Sequence, residues 1–167
     1  MELGTGNKAQ GFQGLDAWAR ADDLASVVFA ITENELAPRH RWLGLQIVRA
    51  AFSVPANIAE GYGRSSLGDY IRFLEIAGAS LNEVENALHF MKRNGVLPAQ
   101  SITEAEDLRR TTGNLLFGLL KSLRAKQKAA GEWQRGMIKE PTAEYGAGAW
   151  EESMFQVPGS QFPDREV

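Results

Sequence analysis

The 167-residue chain contains no cysteine and only two histidines. The first absence excludes disulfides, zinc–thiolate sites and thiol nucleophiles, and it agrees with a reducing cytoplasm, the compartment expected for this chain. The second leaves His40 and His89 as the whole supply of imidazole. No run of 18 or more apolar residues occurs, so no membrane-spanning helix is expected. Residues 1–11 lack an apolar core and are read as a flexible N-terminus, not a secretory signal. Strand-length alternation of apolar and polar residues is also missing, which leaves an all-α fold. Charge of one sign is scarcely in excess: 18 Lys+Arg stand against 21 Asp+Glu, a net charge of −3. That small imbalance is local. Residues 12–128 carry 14 basic against 13 acidic side chains, and residues 129–167 carry 3 against 7. A near-neutral body does not project the broad positive field of a nonspecific nucleic-acid binder, so any such role rests on local clusters.

What is present is helical periodicity in four segments. The first spans about Leu15 to Glu35, where Ala17, Ala21, Leu24, Val28 and Ile31 step by four and three along one face. Trp18, Ala25 and Phe29 form a second stripe beside it. Pro38 separates it from a second helix of about Arg39–Tyr62. There Leu45, Val48, Phe52, Pro55, Ala59 and Tyr62 make the expected core stripe, with a kink at Pro55 and a stop from Gly61 and Gly63. The third is the clearest: Tyr70, Leu74, Ala77, Leu81, Val84, Leu88 and Met91 alternate four and three without a break. Ser66 with Asp69 starts it, and Asn94-Gly95 ends it in the left-handed manner. Phe73, Ile76, Ala87 and Phe90 lie off its main stripe, as on a helix with two neighbours. The fourth is expected from Ser101, with Glu104 completing a capping box, to Lys128, carrying Ala105, Leu108, Leu115, Leu116, Leu119, Leu120 and Leu123. Its closing cations suit the negative end of the helix dipole. The expectation is an up-down-up-down four-helix bundle over residues 12–128. Residues 129–167, punctuated by glycine and proline yet holding Trp133, Tyr145, Trp150, Phe155 and Phe162, are read as a flexible acidic tail.

The stretch Arg49-Ala50-Ala51-Phe52-Ser53-Val54-Pro55-Ala56-Asn57-Ile58-Ala59-Glu60-Gly61, followed by Gly63-Arg64, Asp69-Tyr70, Arg72-Phe73-Leu74, Ile76-Ala77 and Ser80-Leu81, is specific. With Phe12, Trp18, Pro38 and Gln46 ahead of it, it closely resembles the bacterial family of proteins encoded in intervening sequences of the large-subunit ribosomal RNA gene. The resemblance covers about residues 12–125. It implies a four-helix bundle that assembles as a homopentamer and associates with RNA. A more distant likeness is to the accessory variability protein of diversity-generating retroelements, which binds a reverse transcriptase and nucleic acid through a basic surface. The chain departs from the family at Gly14, and at His40 and Arg41, where acidic residues are usual; any charge pairing at that corner is not inherited.

Candidate sites follow. Ser53, Asn57, Glu60 and Arg64 step by four, three and four beside the apolar stripe of the second helix. This polar row is read as a seam between helices or subunits, with Arg49, Arg64 or Arg72 as the partner of a buried Glu60. Arg39, Arg41, Lys92 and Arg93 are expected at one end of the bundle, repeated by assembly, as candidate contacts to RNA. A di-iron site needs Glu-x-x-His on two helices, but His89 has Asn86 three residues before it and Glu85 four before it. Gly61-Tyr62-Gly63-Arg64-Ser65-Ser66 lacks the Gly-Lys-Ser/Thr ending of a phosphate loop. No serine sits in a Gly-x-Ser-x-Gly elbow. The sequence therefore reads as a non-enzyme without metal or cofactor: an oligomeric scaffold with RNA as candidate partner. The other reading is a protein-interaction adaptor that recruits a partner, such as a reverse transcriptase, through its bundle surface or its tail.

Overall fold

The computed structural model describes residues 11–130, and within them the backbone is helical with no strand. The residues beyond Ala130, which include nearly all of the expected acidic tail, lie outside the described residues. A short 3₁₀ turn at Gly11–Gly14 leads into α1 (Asp16–Asn34). A second one at Pro38–His40 leads into α2 (Arg41–Tyr62), and α3 (Leu67–Arg93) and α4 (Ala99–Ala130) complete the chain. Helices α1 and α2, α2 and α3, α3 and α4, and α1 and α4 pack on one another, while α1 faces α3 and α2 faces α4 across the centre. This is the four-helix bundle expected.

The ends of the helices follow their local chemistry. Ser66 is the N-cap of α3, and its hydroxyl accepts from the Asp69 amide at 3.1 Å. At the other end Gly95 adopts φ +59°, the Val96 amide donates to the Met91 carbonyl at 2.9 Å, and the Gly95 amide donates to Lys92. That pair of bonds is the Schellman arrangement, and it needs a residue without a Cβ in the left-handed region. Two boundaries differ from expectation. Helix α2 stops at Tyr62 with Gly63 at φ −71°, so neither Gly61 nor Gly63 acts through left-handed freedom. Gly61 has another cause: a Cβ there would lie 2.7 Å from Tyr70 Cδ2 and 2.8 Å from Phe73 Cβ, so α2 and α3 approach too closely for any side chain. Helix α4 starts two residues before Ser101, and the Ser101 hydroxyl, instead of capping, donates to Glu35 at 2.6 Å.

The core stripes of α1 and α3 are those read from the sequence: all five residues on α1 and all seven on α3 are buried. Helix α2 is different. Its buried row runs through Gly44, Ile47, Ala51, Val54, Ile58 and Gly61, one residue earlier at every step than the expected row. One residue is about 100° of rotation. Of the expected row only Pro55 is buried, and Leu45 and Phe52 are 60% and 67% exposed. The shift has a physical reason. Beyond its polar row the sequence of α2 is apolar, so more than one row satisfies helical spacing. The one that faces the bundle holds the glycines and alanines that permit close helix approach, and the aromatics are left outside.

Two polar side chains enter the core with partners. Thr112 is fully buried on α4, its hydroxyl 2.8 Å from the Leu108 carbonyl and 3.1 Å from the Arg20 carbonyl of α1. Ser80 on α3 is nearly so. Both make hydrogen bonds, as buried hydroxyls must if they are not to cost a few kcal/mol.

Candidate functional site

The polar row on α2 divides into two halves. Ser53 and Asn57 are half-buried. The Asn57 amide donates to the Ser53 carbonyl at 2.7 Å and to its hydroxyl at 2.9 Å, and the Ser80 hydroxyl of α3 donates to Ser53 Oγ at 2.9 Å. A continuous hydrogen-bonded chain thus runs Asn57–Ser53–Ser80, linking α2 to α3 within one protomer. Ser80 stands in the motif quoted from the sequence but not among the candidate seam residues. Its signal was there: a serine in core register between Ala77 and Leu81. Glu60 and Arg64 behave otherwise. Each is about half exposed, and they pair with each other one turn apart, an arrangement worth a few tenths of a kcal/mol. Glu60 is therefore not the buried carboxylate envisaged, and Arg49 and Arg72 lie exposed and do not close on it. The Arg64 guanidinium also sits 4.7 Å over the ring centre of Phe73, so the residue covers α3 as well as answering Glu60.

The end of the bundle with the α1–α2 and α3–α4 turns carries Arg39, Arg41, Lys92 and Arg93, all exposed. The Ser101–Glu35 bond shows that α1 ends where α4 begins. Lys92 spans both carboxylate oxygens of Glu106, at 2.9 and 3.1 Å. Arg39 Nε donates to His40 Nε2 at 3.0 Å. Glu33, Glu35, Glu104 and Glu106 sit in the same terminal turns, so the end is of mixed charge and not a basic field.

More conspicuous is the outer side of α2. Trp42, Leu45 and Phe52 are 59%, 60% and 67% exposed, with Arg49 and Ala56 continuing the row at the same three–four spacing. Phe29 on α1, 54% exposed, stands beside it, and with Leu45, Val48 and Leu36 it lines a hollow of about 280 Å³ between the two helices. Large apolar side chains gathered on one face, not scattered singly, mark interaction surfaces. Ile76 and Phe90 on α3 are also exposed. A second groove, about 250 Å³, opens between α3 and α4 over Gly78, Gly113, Leu116, Phe117 and Leu120. Among the described residues no three His, Asp or Glu side chains gather as a metal site, and no helix is long and apolar enough to cross a membrane.

Comparison with known proteins places this arrangement. The chain is similar to a solved structure of a protein of unknown function from the S23 ribosomal protein family of Bacteroides thetaiotaomicron VPI-5482, at 23% identity and a TM-score of 0.58, over 63% of this chain and 98% of that one. At that identity the likeness concerns the fold. No curated protein matches. Residues 13–118 match the family described as 23S rRNA-intervening sequence protein, a span that takes in α1, α2, α3 and the first two-thirds of α4 and contains the whole motif of α2. On that match, which covers well over half of its length, the chain belongs to the 23S rRNA-intervening sequence protein family.

Proposed function

We propose that this protein is a non-enzymatic homo-oligomeric scaffold, a pentamer as the family resemblance implies, that contacts RNA at the ends of its bundle. The observation that carries the reading is the exposed apolar row of α2. Trp42, Leu45 and Phe52 repeat at the spacing of a helix–helix seam, and burying each against a second copy contributes about 2 kcal/mol. The Asn57–Ser53–Ser80 chain runs beside that row and fixes α2 against α3, which holds the surface in one shape for its copies. Each added subunit repeats Arg39, Arg41, Lys92 and Arg93, so a patch too weak alone gains from multivalency.

Phe52→Glu tests the assembly. Light scattering on the full chain is expected to fall from an oligomer to the mass of one protomer, with the far-ultraviolet circular dichroism of a helical bundle retained. An unchanged mass overturns the reading. RNA binding is tested by titration at rising salt: affinity that falls steeply, and falls further in Arg39→Glu/Arg41→Glu, supports contact through phosphates. No affinity at low salt overturns that part and favours the adaptor, which a partner lost on truncation after Lys128 then identifies.

A further inference from the structure

The groove between α3 and α4 is on another side of the bundle from the apolar row of α2, and the scaffold reading does not use it. It exists because two helices present glycine to each other's side: Gly78 on α3 and Gly113 on α4 both line it. Glycine inside a helix costs about 1 kcal/mol against alanine. At Gly61 close packing explains that cost. At Gly78 it does not, since the nearest atom to an added Cβ is Leu116 Cδ2 at 3.9 Å, an ordinary contact. The missing side chain leaves an apolar trough whose rim holds Arg109 and Arg124. Its volume of about 250 Å³ exceeds the roughly 150 Å³ that already admits benzene, so one large aromatic side chain fits.

We propose that this groove is the dock for the chain's own C-terminal segment, residues 149–155 (Ala-Trp-Glu-Glu-Ser-Met-Phe), with Trp150 in the trough. Three observations single out this occupant. The wall of the groove, α4, is the element from which the segment departs. Phe117 lies 13 residues before Ala130, about 20 Å along the helix. A flexible chain as long as the 20 residues from Ala130 to Trp150, four of them glycine, would span about 25 Å, which matches that distance and would give an effective concentration on the order of millimolar. The charges are also complementary. Residues 121–128 carry Lys121, Arg124, Lys126 and Lys128 and no acid; residues 140–152 carry Glu140, Glu144, Glu151 and Glu152 and no base. Arg124 already meets Glu75 at 2.7 Å, but both are about half exposed, and such a pair is weak enough to admit a further carboxylate. The cations of residues 121–128 and the acids of residues 140–152 lie past residue 118, where the family match ends, whereas most of the trough lies within it.

The absence of cysteine gives a clean test in the full chain. Ala79, exposed on the groove, and Ala149 are each replaced by Cys, and disulfide formation under mild oxidation is followed on non-reducing gels with mass spectrometry. The comparison pair replaces Ala79 by Ala56, exposed on the outer side of α2. The Ala79→Cys/Ala149→Cys chain is expected to close at least tenfold faster than the Ala56→Cys/Ala149→Cys chain, at a rate independent of protein concentration and with the mass of one protomer. Adding Trp150→Ala, or filling the trough with Gly78→Leu, is expected to remove most of that advantage. Circular dichroism checks that each variant folds, and Trp150→Ala changes none of the residues of the four helices, so its outcome does not depend on the bundle's tolerance. Equal rates for the two pairs, or a rate unmoved by Trp150→Ala, overturn the proposal. A product of two-protomer mass also overturns it, since the dock would then serve a second copy's segment.

Discussion

Gly61→Ala adds a single methyl group to the most characteristic motif of the chain, and the structure says what that methyl meets. The new Cβ falls 2.7 Å from Tyr70 Cδ2 and 2.8 Å from Phe73 Cβ. Carbon atoms in contact settle near 3.5 Å, so the shortfall is about 0.8 Å. Neither neighbour can yield freely. Tyr70 is fully buried, its ring edge-on to Tyr62 at 6.2 Å, and the Cβ of Phe73 moves only with the backbone of α3. The helices must part, and overpacking of this kind costs about 2–3 kcal/mol, the upper range for an inserted methylene. Alanine's better helix propensity returns up to about 1 kcal/mol. The net expectation is a loss of about 1–2 kcal/mol. Gly68→Ala is the matched control: it too lies in a helix, but its nearest neighbours are Gln127 Nε2 at 3.5 Å and Ser66 Oγ at 3.7 Å. There the propensity gain stands nearly alone, about 0.4–1 kcal/mol of added stability. Urea unfolding at equal protein concentration, which holds any contribution of the proposed assembly constant, measures both. The two variants are expected to differ by about 2 kcal/mol, or on the order of 10 °C in melting temperature. If Gly61→Ala matches or exceeds Gly68→Ala, the account of Gly61 as a close-approach residue is wrong.

Three further outcomes follow from the same geometry. Ser53→Ala and Ser80→Ala are expected to show a coupling of about 0.5–1.5 kcal/mol in a double-mutant cycle by denaturant unfolding, because their hydroxyls bond each other across α2 and α3; additive losses refute the link. Thr112→Val keeps the shape but removes a hydroxyl held between the Leu108 and Arg20 carbonyls, and a loss of about 1 kcal/mol is expected by the same measurement. Gly95→Ala places a Cβ in open space but at φ +59°, so a loss of about 1 kcal/mol comes from the backbone alone; a smaller change means the Schellman turn relaxes at no cost.

How much of this was legible depended on how one-sided each helix is. On α1 and α3 one unbroken row stands out from the shorter apolar stripe beside it, and Leu24, Val28, Leu74 and Val84 could be placed in the core from the sequence. On α2 the period alone does not choose. Leu45, Phe52 and Tyr62 sit in register as well as Ile47, Val54 and Ile58 do, and the three–four spacing alone led to the row one residue later than the buried one. The small residues held the answer: Gly44 and Gly61 lie on the row that faces the bundle because only there does a missing Cβ matter. The seam was half legible for a related reason. Ser53 and Asn57 flank the buried row, Asn57 bonding Ser53 and Ser53 in turn meeting Ser80, whereas Glu60 and Arg64, on the same polar row, find each other first. Thr112 and Ser80 carried only a register signal, a polar side chain at a core position, which becomes readable once the neighbouring helix supplies the carbonyl or hydroxyl it needs.

The three sides of α2 together explain why so long a motif reads as assembly and not as chemistry. One side must let α1 and α3 come close, which demands glycine and alanine. A second must hold the register of α2 on α3, which in this bundle falls to hydroxyls and an amide that bond one another. The third leaves Trp42, Leu45 and Phe52 in water, the apolar surface that the proposed assembly would cover. Each demand restricts different positions of one helix, so little of the motif is left free to vary. Those freedoms lie elsewhere, at the mixed-charge end and beyond residue 118, where a basic last stretch of α4 is followed by an acidic, aromatic segment.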